Sequence, residues 1–328
     1  MMKKIAFFDT KPYDKEVFDE ENTHYEMVYF ESKLNEKTAR LAQGFDCVCA
    51  FVNDDINQKV IDTLYENGIR LIALRSAGYN NVDLKAAQDK ITIVRVPSYS
   101  PHSIAEHAFS LLQTLNRKIH RAYIRTRDFN FSLVGMNGIG LYQKTIGIVG
   151  VGAIGRAMIQ IAKGYGMRVV CFDPHPDESL GVEFVDLDTL FKESDVISLH
   201  CPLTKATYHM INKESIAKMK KGVYFINTSR GALVDTASLL DALNEGKIRG
   251  AGLDVYEEEE DLFFEDKSLT IVKDNILSLL ISRPNVIVTS HQAFLTDESL
   301  TQIARTTFDN LDQYFAHQPL ENEIRYQK

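Results

Sequence analysis

The chain has 328 residues, of which 45% are apolar and 25% charged, and its formal net charge is −8 at pH 7. The length allows two domains with separate cores, and the composition is typical of a globular protein. The acidic excess argues against nucleic acid or an anionic membrane as partner, because both require a basic surface. The sequence holds no run of 18 apolar residues, and the apolar run at residues 5–8 is too short for a secretory signal. We therefore expect a cytoplasmic protein without a membrane partner.

Short β-branched runs alternate with helical patterns from end to end, which indicates an α/β protein with parallel sheets. Ser100 and Pro101 have the residue types of a helix N-cap and first helical position, so a long helix is predicted from there. The predicted strands before this helix are residues 4–8, 27–30, 46–51, 70–74 and 92–96, and residues 59–66 are predicted to be helical.

A second series of alternations begins at residue 145 and ends in a helix over residues 297–315, followed by a polar tail. Each series of strands can form a buried core of its own, which predicts two domains. Small-molecule sites form preferentially in the cleft between domains, so we expect the site there. The acidic run at residues 257–261 is typical of a solvated loop. The predicted strands of the second series are residues 145–149, 168–172, 196–200, 223–227, 251–255 and 286–289.

The cysteines give no sign of a metal or redox centre. Cys47 and Cys49 are separated by one residue, so they form neither a CxxC motif nor half of a zinc site. Cys171 and Cys201 lie in apolar runs far along the chain. All four are expected to be small buried hydrophobic side chains in a reducing compartment.

A glycine-rich turn follows the strand predicted at residues 145–149. Gly150, Gly152 and Gly155 satisfy G-x-G-x-x-G and open a helix, whose N-terminus can bind a pyrophosphate. The motif is weak alone, but Asp173 ends the next strand 18 residues after Gly155, where a carboxylate can accept a hydrogen bond from a ribose 2′-hydroxyl. Because no arginine or lysine directly follows Asp173, the pattern favours NAD over NADP.

Polar residues follow the other strands of the second series, where open α/β sheets bind their ligands. They include His200, Arg230, Asp254 and His291, together with the glutamates after Asp254. Reduction of a 2-oxo acid requires these groups: a protonated histidine for the carbonyl oxygen, a carboxylate to keep it charged, and an arginine for the substrate carboxylate. Residue types alone leave His200 and His291 as equal candidates for the acid.

Five strings occur in order along the chain: GIVGVGAIGR, SDVISLHCPLT, NTSRGALVD, GLDVYEEE and SHQAF. Together they resemble the D-isomer-specific 2-hydroxyacid dehydrogenases. Further strings narrow the resemblance to the bacterial fermentative D-lactate dehydrogenases: LRSAGYNNVDL, SPHSIAEHA, RTRDFNFS, DLFFEDKS and HQAFLT. The likeness covers essentially the whole chain.

The resemblance implies two Rossmann-like or flavodoxin-like domains with parallel sheets and an active site in the interdomain cleft. Residues 1–99 and 296–328 would form the substrate domain, and residues 100–295 the NAD-binding domain. The implied activity is the NADH-dependent reduction of pyruvate to D-lactate. Reductases of larger 2-oxo acids are a neighbouring alternative, and an NAD-sensing interaction protein is an alternative from another class, because fold does not fix function.

The catalytic residues follow from the same resemblance. The family arginine maps onto Arg230 of NTSRG and the family histidine onto His291 of HQA, which favours His291 over His200. The family glutamate, five residues beyond the aspartate of DVYE, maps onto Glu259, with Glu257 as second choice because glutamates surround it.

The resemblance also implies ligand contacts and an assembly. The substrate would contact the Ala77 and Gly78 backbone, the Tyr99 ring and the apolar wall of Phe294. In the family, the helix from Pro101 helps to join two cofactor domains, which implies a homo-oligomer, either dimer or tetramer. The implied cofactor contacts are Gly150, Gly152, Ile154, Gly155, Arg156, Asp173, Cys201, Pro202, Thr207, Thr228, Ser229 and Asp254.

Overall fold

The computed structural model of the chain describes residues 2–259 and 262–326. It divides into two compact units. Unit 1 comprises the residues up to Ser100 and those from Phe294 onward, and unit 2 runs from Pro101 to Ala293. Within the described ranges, no helix is long and apolar enough to cross a membrane.

Strands and helices alternate through both units. In the described residues the strands are β1 Lys3–Phe7, β2 Tyr25–Tyr29, β3 Cys47–Ala50, β4 Leu71–Leu74, β5 Thr92–Arg95, β6 Thr145–Val149, β7 Arg168–Phe172, β8 Glu183–Phe184, β9 Val196–Leu199, β10 Val223–Asn227, β11 Ile248–Leu253, β12 Val286–Val288 and β13 Glu323–Ile324. The helices are α1 Pro12–Glu21, α2 Gln58–Glu66, α3 Leu84–Ala87, α4 Pro101–Arg117, α5 Ile119–Arg127, α6 Ala153–Gly164, α7 Leu187–Glu193, α8 Lys213–Lys218, α9 Thr236–Asn244, α10 Asn275–Ser282 and α11 Asp297–Phe315.

The sheet of unit 1 has the strand order β13-β5-β4-β3-β1-β2. Strands β1 to β5 pair in parallel, and β13 adds antiparallel to the edge at β5. The order 2-1-3-4-5 is that of a flavodoxin-like fold. Its core strands are fully buried because helices cover parallel sheets on both faces, which explains their continuous apolar runs.

The sheet of unit 2 has the order β12-β11-β10-β9-β6-β7-β8, with every pair parallel. The first strand of the unit, β6, pairs with β7 on one side and β9 on the other, so the direction of winding reverses there. In open α/β sheets, ligands bind at this switch point, outside the carboxyl ends of the strands. The glycine-rich turn that begins at Gly150 follows β6 directly.

The alternation predicted from sequence is confirmed, including an α/β class with two mainly parallel sheets, but two local predictions differ. No strand is predicted in the polar tail after α11, whereas Glu323–Ile324 forms β13 because the edge of β5 offers unpaired backbone groups. Strand β11 begins at Ile248, three residues before the predicted start. Its Gly250 and Gly252 weaken the strand pattern, but they let neighbouring groups approach closely: a Cβ on Gly252 would lie 2.9 Å from Leu111 Cβ of α4.

Candidate functional site: a glycine turn and a histidine–glutamate pair in unit 2

The glycines of the turn after β6 have distinct structural roles. Gly150 has φ +91°, and a Cβ there would lie 2.7 Å from the Cys201 backbone nitrogen. At Gly155 a Cβ would lie 2.1 Å from the Gly150 carbonyl oxygen, so α6 could not pack onto the turn. At Gly152 a Cβ would meet nothing within 4 Å. Packing therefore requires the first and third glycines, whereas the second leaves open space beside the backbone.

That open space lies at the N-terminus of α6. Gly152 is the N-cap residue, and no side chain caps the helix there. Asp173, after β7, lies against the same turn, because its Oδ2 accepts a 2.7 Å hydrogen bond from Val151 N. An uncapped helix N-terminus attracts a pyrophosphate, and a carboxylate beside it can accept from a ribose. These residues fit an NAD cofactor.

The other residues predicted to contact the cofactor lie around this turn or after the neighbouring strands. Thr228 Oγ1, after β10, is buried and makes no hydrogen bond to the described residues. Thr207 Oγ1 donates to Pro202 O at 2.7 Å, and Ser229 Oγ donates to Leu199 O at 2.9 Å. Arg156 pairs with Asp177 at 2.8 Å. Ile154 and Cys201 are partly buried, and burial raises the pKa of the Cys201 thiol to about 11.

Arg230 is held at the end of β10 by an asparagine that the sequence analysis did not single out. Asn227 Nδ2 donates to Arg230 O at 2.9 Å, and Asn227 Oδ1 accepts from Ser229 N at 3.0 Å. The guanidinium of Arg230 donates to Ser229 O at 2.7 Å, and no carboxylate contacts it among residues 2–259 and 262–326. A partly buried arginine without a counter-ion can still bind an anion.

Gly231 brings the Arg230 turn against the acidic loop that follows β11. A Cβ at Gly231 would lie 2.0 Å from the Tyr256 carbonyl carbon and 2.4 Å from Glu257 N, so any larger residue would separate these segments. The sequence marks Gly231 only as the residue after Arg230, and the need for glycine becomes visible from the packing.

Glu259 and His291 form a hydrogen-bonded pair in unit 2. His291 Nδ1 lies 2.8 Å from Glu259 Oε1, and Glu259 Oε2 accepts from Tyr256 N at 2.8 Å. Because a carboxylate can only accept, His291 must donate from Nδ1, which leaves Nε2 to exchange a proton with a ligand. The ring of Phe264 lies 6.0 Å from the His291 ring, between centroids.

The His291 loop is anchored on Asp254, which is fully buried after β11. Asp254 O accepts from His291 N at 2.8 Å, and its carboxylate accepts from Thr289 Oγ1 at 2.6 Å and Ala293 N at 2.9 Å. Burial alone would raise the pKa of Asp254, but hydrogen bonds from His107, Thr289 and the Ala293 amide hold it below its usual value. These contacts support His291 in a left-handed conformation with φ +55°.

The two alternatives left by the sequence have other partners. His200 is buried, its Nε2 contacts Ser198 Oγ at 2.9 Å, and burial lowers its pKa to about 4, so the imidazole is neutral near pH 7. Glu257 contacts His209 Nε2 at 2.5 Å, not His291. Glu260 of the acidic run lies outside the described residues. The geometry thus pairs His291 with Glu259.

The predicted substrate contacts lie in unit 1. Tyr99 and Phe51 flank Phe294, with ring centroids 5.8 and 6.2 Å from it. The turn after β4 is held by Arg95 Nη1, which donates to Ala77 O at 2.6 Å, and by Ser76 Oγ, which donates to Gly78 O at 2.8 Å. Both carbonyls therefore face protein donors.

Known proteins match this chain over its full length. The D-lactate dehydrogenase of Escherichia coli strain K12 is 50% identical over 327 residues, which cover 98% of this chain and 99% of that protein. The apo-structure of the E. coli D-lactate dehydrogenase has a TM-score of 0.91 and 48% identity, covering 98% of this chain and 99% of that one. A structure from the identification of the pyruvate reductase of Chlamydomonas reinhardtii has a TM-score of 0.93 and 43% identity, and the match covers 98% of both chains.

Residues 109–293 match the family model described as the NAD-binding domain of the D-isomer-specific 2-hydroxyacid dehydrogenases. That range contains the glycine turn, Asp173, Arg230 and the His291–Glu259 pair. The cofactor expected from the sequence is therefore confirmed as NAD. The chain belongs to the D-isomer-specific 2-hydroxyacid dehydrogenases, a family of NAD-dependent oxidoreductases.

Proposed function

We propose that the chain reduces pyruvate to D-lactate, with Arg230, Glu259 and His291 as catalytic residues. The observation that carries this proposal is the pairing of His291 Nδ1 with Glu259 Oε1 at 2.8 Å in a unit where the Arg230 guanidinium has no carboxylate partner among the described residues. Similarity to the E. coli D-lactate dehydrogenase supports pyruvate as the substrate.

Each side chain has a defined chemical task in this proposal. When bound, the reduced nicotinamide supplies the hydride to the substrate carbonyl carbon. His291 donates the Nε2 proton to the carbonyl oxygen, where negative charge develops. Glu259 fixes the ring orientation and stabilises the imidazolium. Arg230 binds the substrate carboxylate through two parallel hydrogen bonds, which aligns the carbonyl for reaction.

We further propose that unit 1 supplies the substrate domain. Tyr99 and Phe294 form the apolar wall, and the Ala77 and Gly78 backbone amides bind the carboxylate. The aromatic group around Phe294 favours a small methyl substituent. One methylene in an apolar pocket changes specificity by about 1–3 kcal/mol, so pyruvate should be preferred over longer homologues by roughly 10- to 200-fold.

Loss of NADH absorbance with a panel of 2-oxo acids tests this function. We expect the highest kcat/KM with pyruvate, lower values with glyoxylate, hydroxypyruvate and branched-chain analogues, and D-lactate as the product by chiral analysis. A higher kcat/KM for a branched-chain acid would reassign the substrate, and no turnover of any 2-oxo acid would leave an NAD-binding protein of another function.

Asp173 is proposed to select NADH over NADPH. Its carboxylate lies beside the glycine-rich turn, where it would bind the ribose and repel a 2′-phosphate. We expect Asp173→Ser to raise the KM for NADH, to lower that for NADPH, and so to narrow the preference in steady-state kinetics. Equal use of both cofactors by the unmodified protein would contradict this role.

We also propose a homo-oligomer. On α4, the helix from Pro101, the apolar residues Ala105, Ala108, Phe109 and Leu112 pack into the core of unit 2. Apolar side chains are exposed instead on α5 and the segment after it, and such patches mark protein interfaces. They are Ile119, Tyr123, Ile124, Phe129, Phe131, Leu133 and Val134. We propose that a second copy covers them, in a cytoplasmic protein whose four cysteines remain reduced.

A charge among these exposed apolar residues should dissociate the oligomer. Leu133 is 84% exposed, so Leu133→Glu costs little in a monomer but places a carboxylate in the proposed interface. Light scattering is expected to give a dimer or tetramer for the unmodified protein and a smaller species for Leu133→Glu. Leu269→Glu is the matched control, because Leu269 is 97% exposed and lies outside the patch. A monomeric unmodified protein would refute the assembly.

A further inference from the structure

The acidic loop after β11 makes two histidine–glutamate contacts, only one of which has a task in the proposed reaction. Glu259 contacts His291, and two residues earlier Glu257 contacts His209. Both histidines have left-handed backbones, with φ +49° at His209 and +55° at His291. Such conformations are uncommon outside glycine and persist where the surrounding structure holds them.

Glu257 is held at both of its carboxylate oxygens. His209 Nε2 contacts Oε1 at 2.5 Å, and Thr236 Oγ1, at the start of α9, donates to Oε2 at 3.0 Å. The side chain is partly buried, so it is less screened than an exposed ion pair. With both oxygens engaged, Glu257 is kept from competing with Glu259 for His291.

His209 is in turn fixed by its own backbone and ring. Its N donates to Ala232 O at 2.9 Å, and its O accepts from Asn212 Nδ2 at 2.9 Å. Tyr208 stacks on the imidazole with centroids 3.9 Å apart. His209 also lies two residues after Thr207, a proposed cofactor contact, so the pair connects the segment bearing Thr207 to the acidic loop.

Glu257 and Glu259 are only two residues apart in the acidic loop, so the contacts that hold Glu257 also restrict the position of Glu259. Gly231 fixes the Tyr256–Glu257 backbone on one side, and Tyr256 N donates to Glu259 Oε2 at 2.8 Å. A displacement of Glu257 would therefore move the Tyr256 amide that orients the Glu259 carboxylate.

We propose that His209 and Glu257 are a positioning pair that holds Glu259 in register with His291. They do not touch the reacting atoms. The inference rests on the proposed function for its kinetic consequence, but its structural consequence, the distance between Glu259 and His291, is independent of any activity.

The test compares Glu257→Ala, His209→Ala, the double variant and the conservative Glu257→Gln, which keeps the size of the side chain and one acceptor oxygen for His209. We expect each alanine variant to lower kcat for pyruvate reduction by roughly 10- to 100-fold, as expected for a misplaced catalytic group. In a plot of the rate of pyruvate reduction against pH, the fall in rate at alkaline pH (the alkaline limb) should move to lower pH. The Kd of NADH should stay within about twofold of the value for the unmodified protein. Because the residues act together, the double variant should be no worse than the worse single one. Glu257→Gln should keep the limb in place.

Crystal structures of Glu257→Ala and His209→Ala test the inference without any measurement of activity, because they show the distance between Glu259 and His291. The inference requires Glu259 Oε1 and His291 Nδ1 to separate beyond about 3.5 Å, where no hydrogen bond remains. His24→Ala, which removes an exposed histidine–aspartate contact of unit 1, is the matched control and should leave kinetics unchanged. An intact Glu259–His291 contact in both variants would overturn the inference. If the unmodified protein reduced no 2-oxo acid, the proposed function would fail while the crystal structures still decided the pair.

Discussion

Arg230→Lys is expected to lower kcat/KM for pyruvate by about 100-fold, the scale of a 1 Å misplacement of a reacting group. Lysine keeps the positive charge, but it lacks the planar fork that binds a carboxylate through two parallel hydrogen bonds. The Asn227 clamp and the Gly231 contact hold the backbone at this position, so the turn should persist in the variant. Both a higher KM and a lower kcat should appear in steady-state kinetics, because binding and alignment are lost together.

Two measurements separate this role from a structural one. The Kd of NADH, from fluorescence titration, should change little in Arg230→Lys. Arg249→Lys is the matched control, because Arg249 lies on the neighbouring β11 and stacks on Tyr224 at 6.0 Å. A defect in Arg230→Lys confined to NADH affinity would remove Arg230 from the substrate site.

The sequence identified the glycine turn because the backbone dictates its residue types. A positive φ at Gly150 and the close approach at Gly155 require glycine, and these requirements appear as fixed spacing in the sequence. The strands were predicted for a similar reason, since buried parallel strands carry continuous apolar runs. Strand β13 was not predicted, because it forms by pairing with the edge of β5 in the folded sheet and the local sequence pattern gives no sign of that pairing.

The choice of histidine and glutamate was harder, because the deciding facts are contacts across long chain separations. His200 and His291 both follow strands, and they differ in that burial lowers the pKa of His200 to about 4 whereas His291 contacts the Glu259 carboxylate. Within the acidic run, Glu257 and Glu259 differ in their partners and not in residue type. Resemblance to the family supplied the register that residue chemistry left open, and in the structure Glu259 contacts His291 whereas Glu257 contacts His209. The role of Asn227 and the His209–Glu257 contact had no local sequence signal.

The largest loss is expected from His291→Ala, which should lower the rate of pyruvate reduction by about 10²- to 10⁴-fold, the usual contribution of a general acid. The pH profile should change as well. Reduction requires the imidazolium, so the activity of the unmodified protein should fall as rising pH deprotonates His291, and this alkaline limb should be absent in His291→Ala. Initial rates with NADH and pyruvate across pH 5 to 10, roughly, provide the measurement.

Glu259→Gln tests the partner of the acid. Glutamine keeps the size and an acceptor for His291 Nδ1, but removes the charge that stabilises the imidazolium. The alkaline limb should therefore move to lower pH, whereas oxidation of D-lactate, which requires neutral imidazole, should suffer less near pH 7. In His200→Gln the limb should stay in place, because the pKa of His200 is already lowered to about 4 and the ring does not titrate in this range. If Glu257→Gln moved the limb and Glu259→Gln did not, the catalytic glutamate would be Glu257, two residues earlier in the loop.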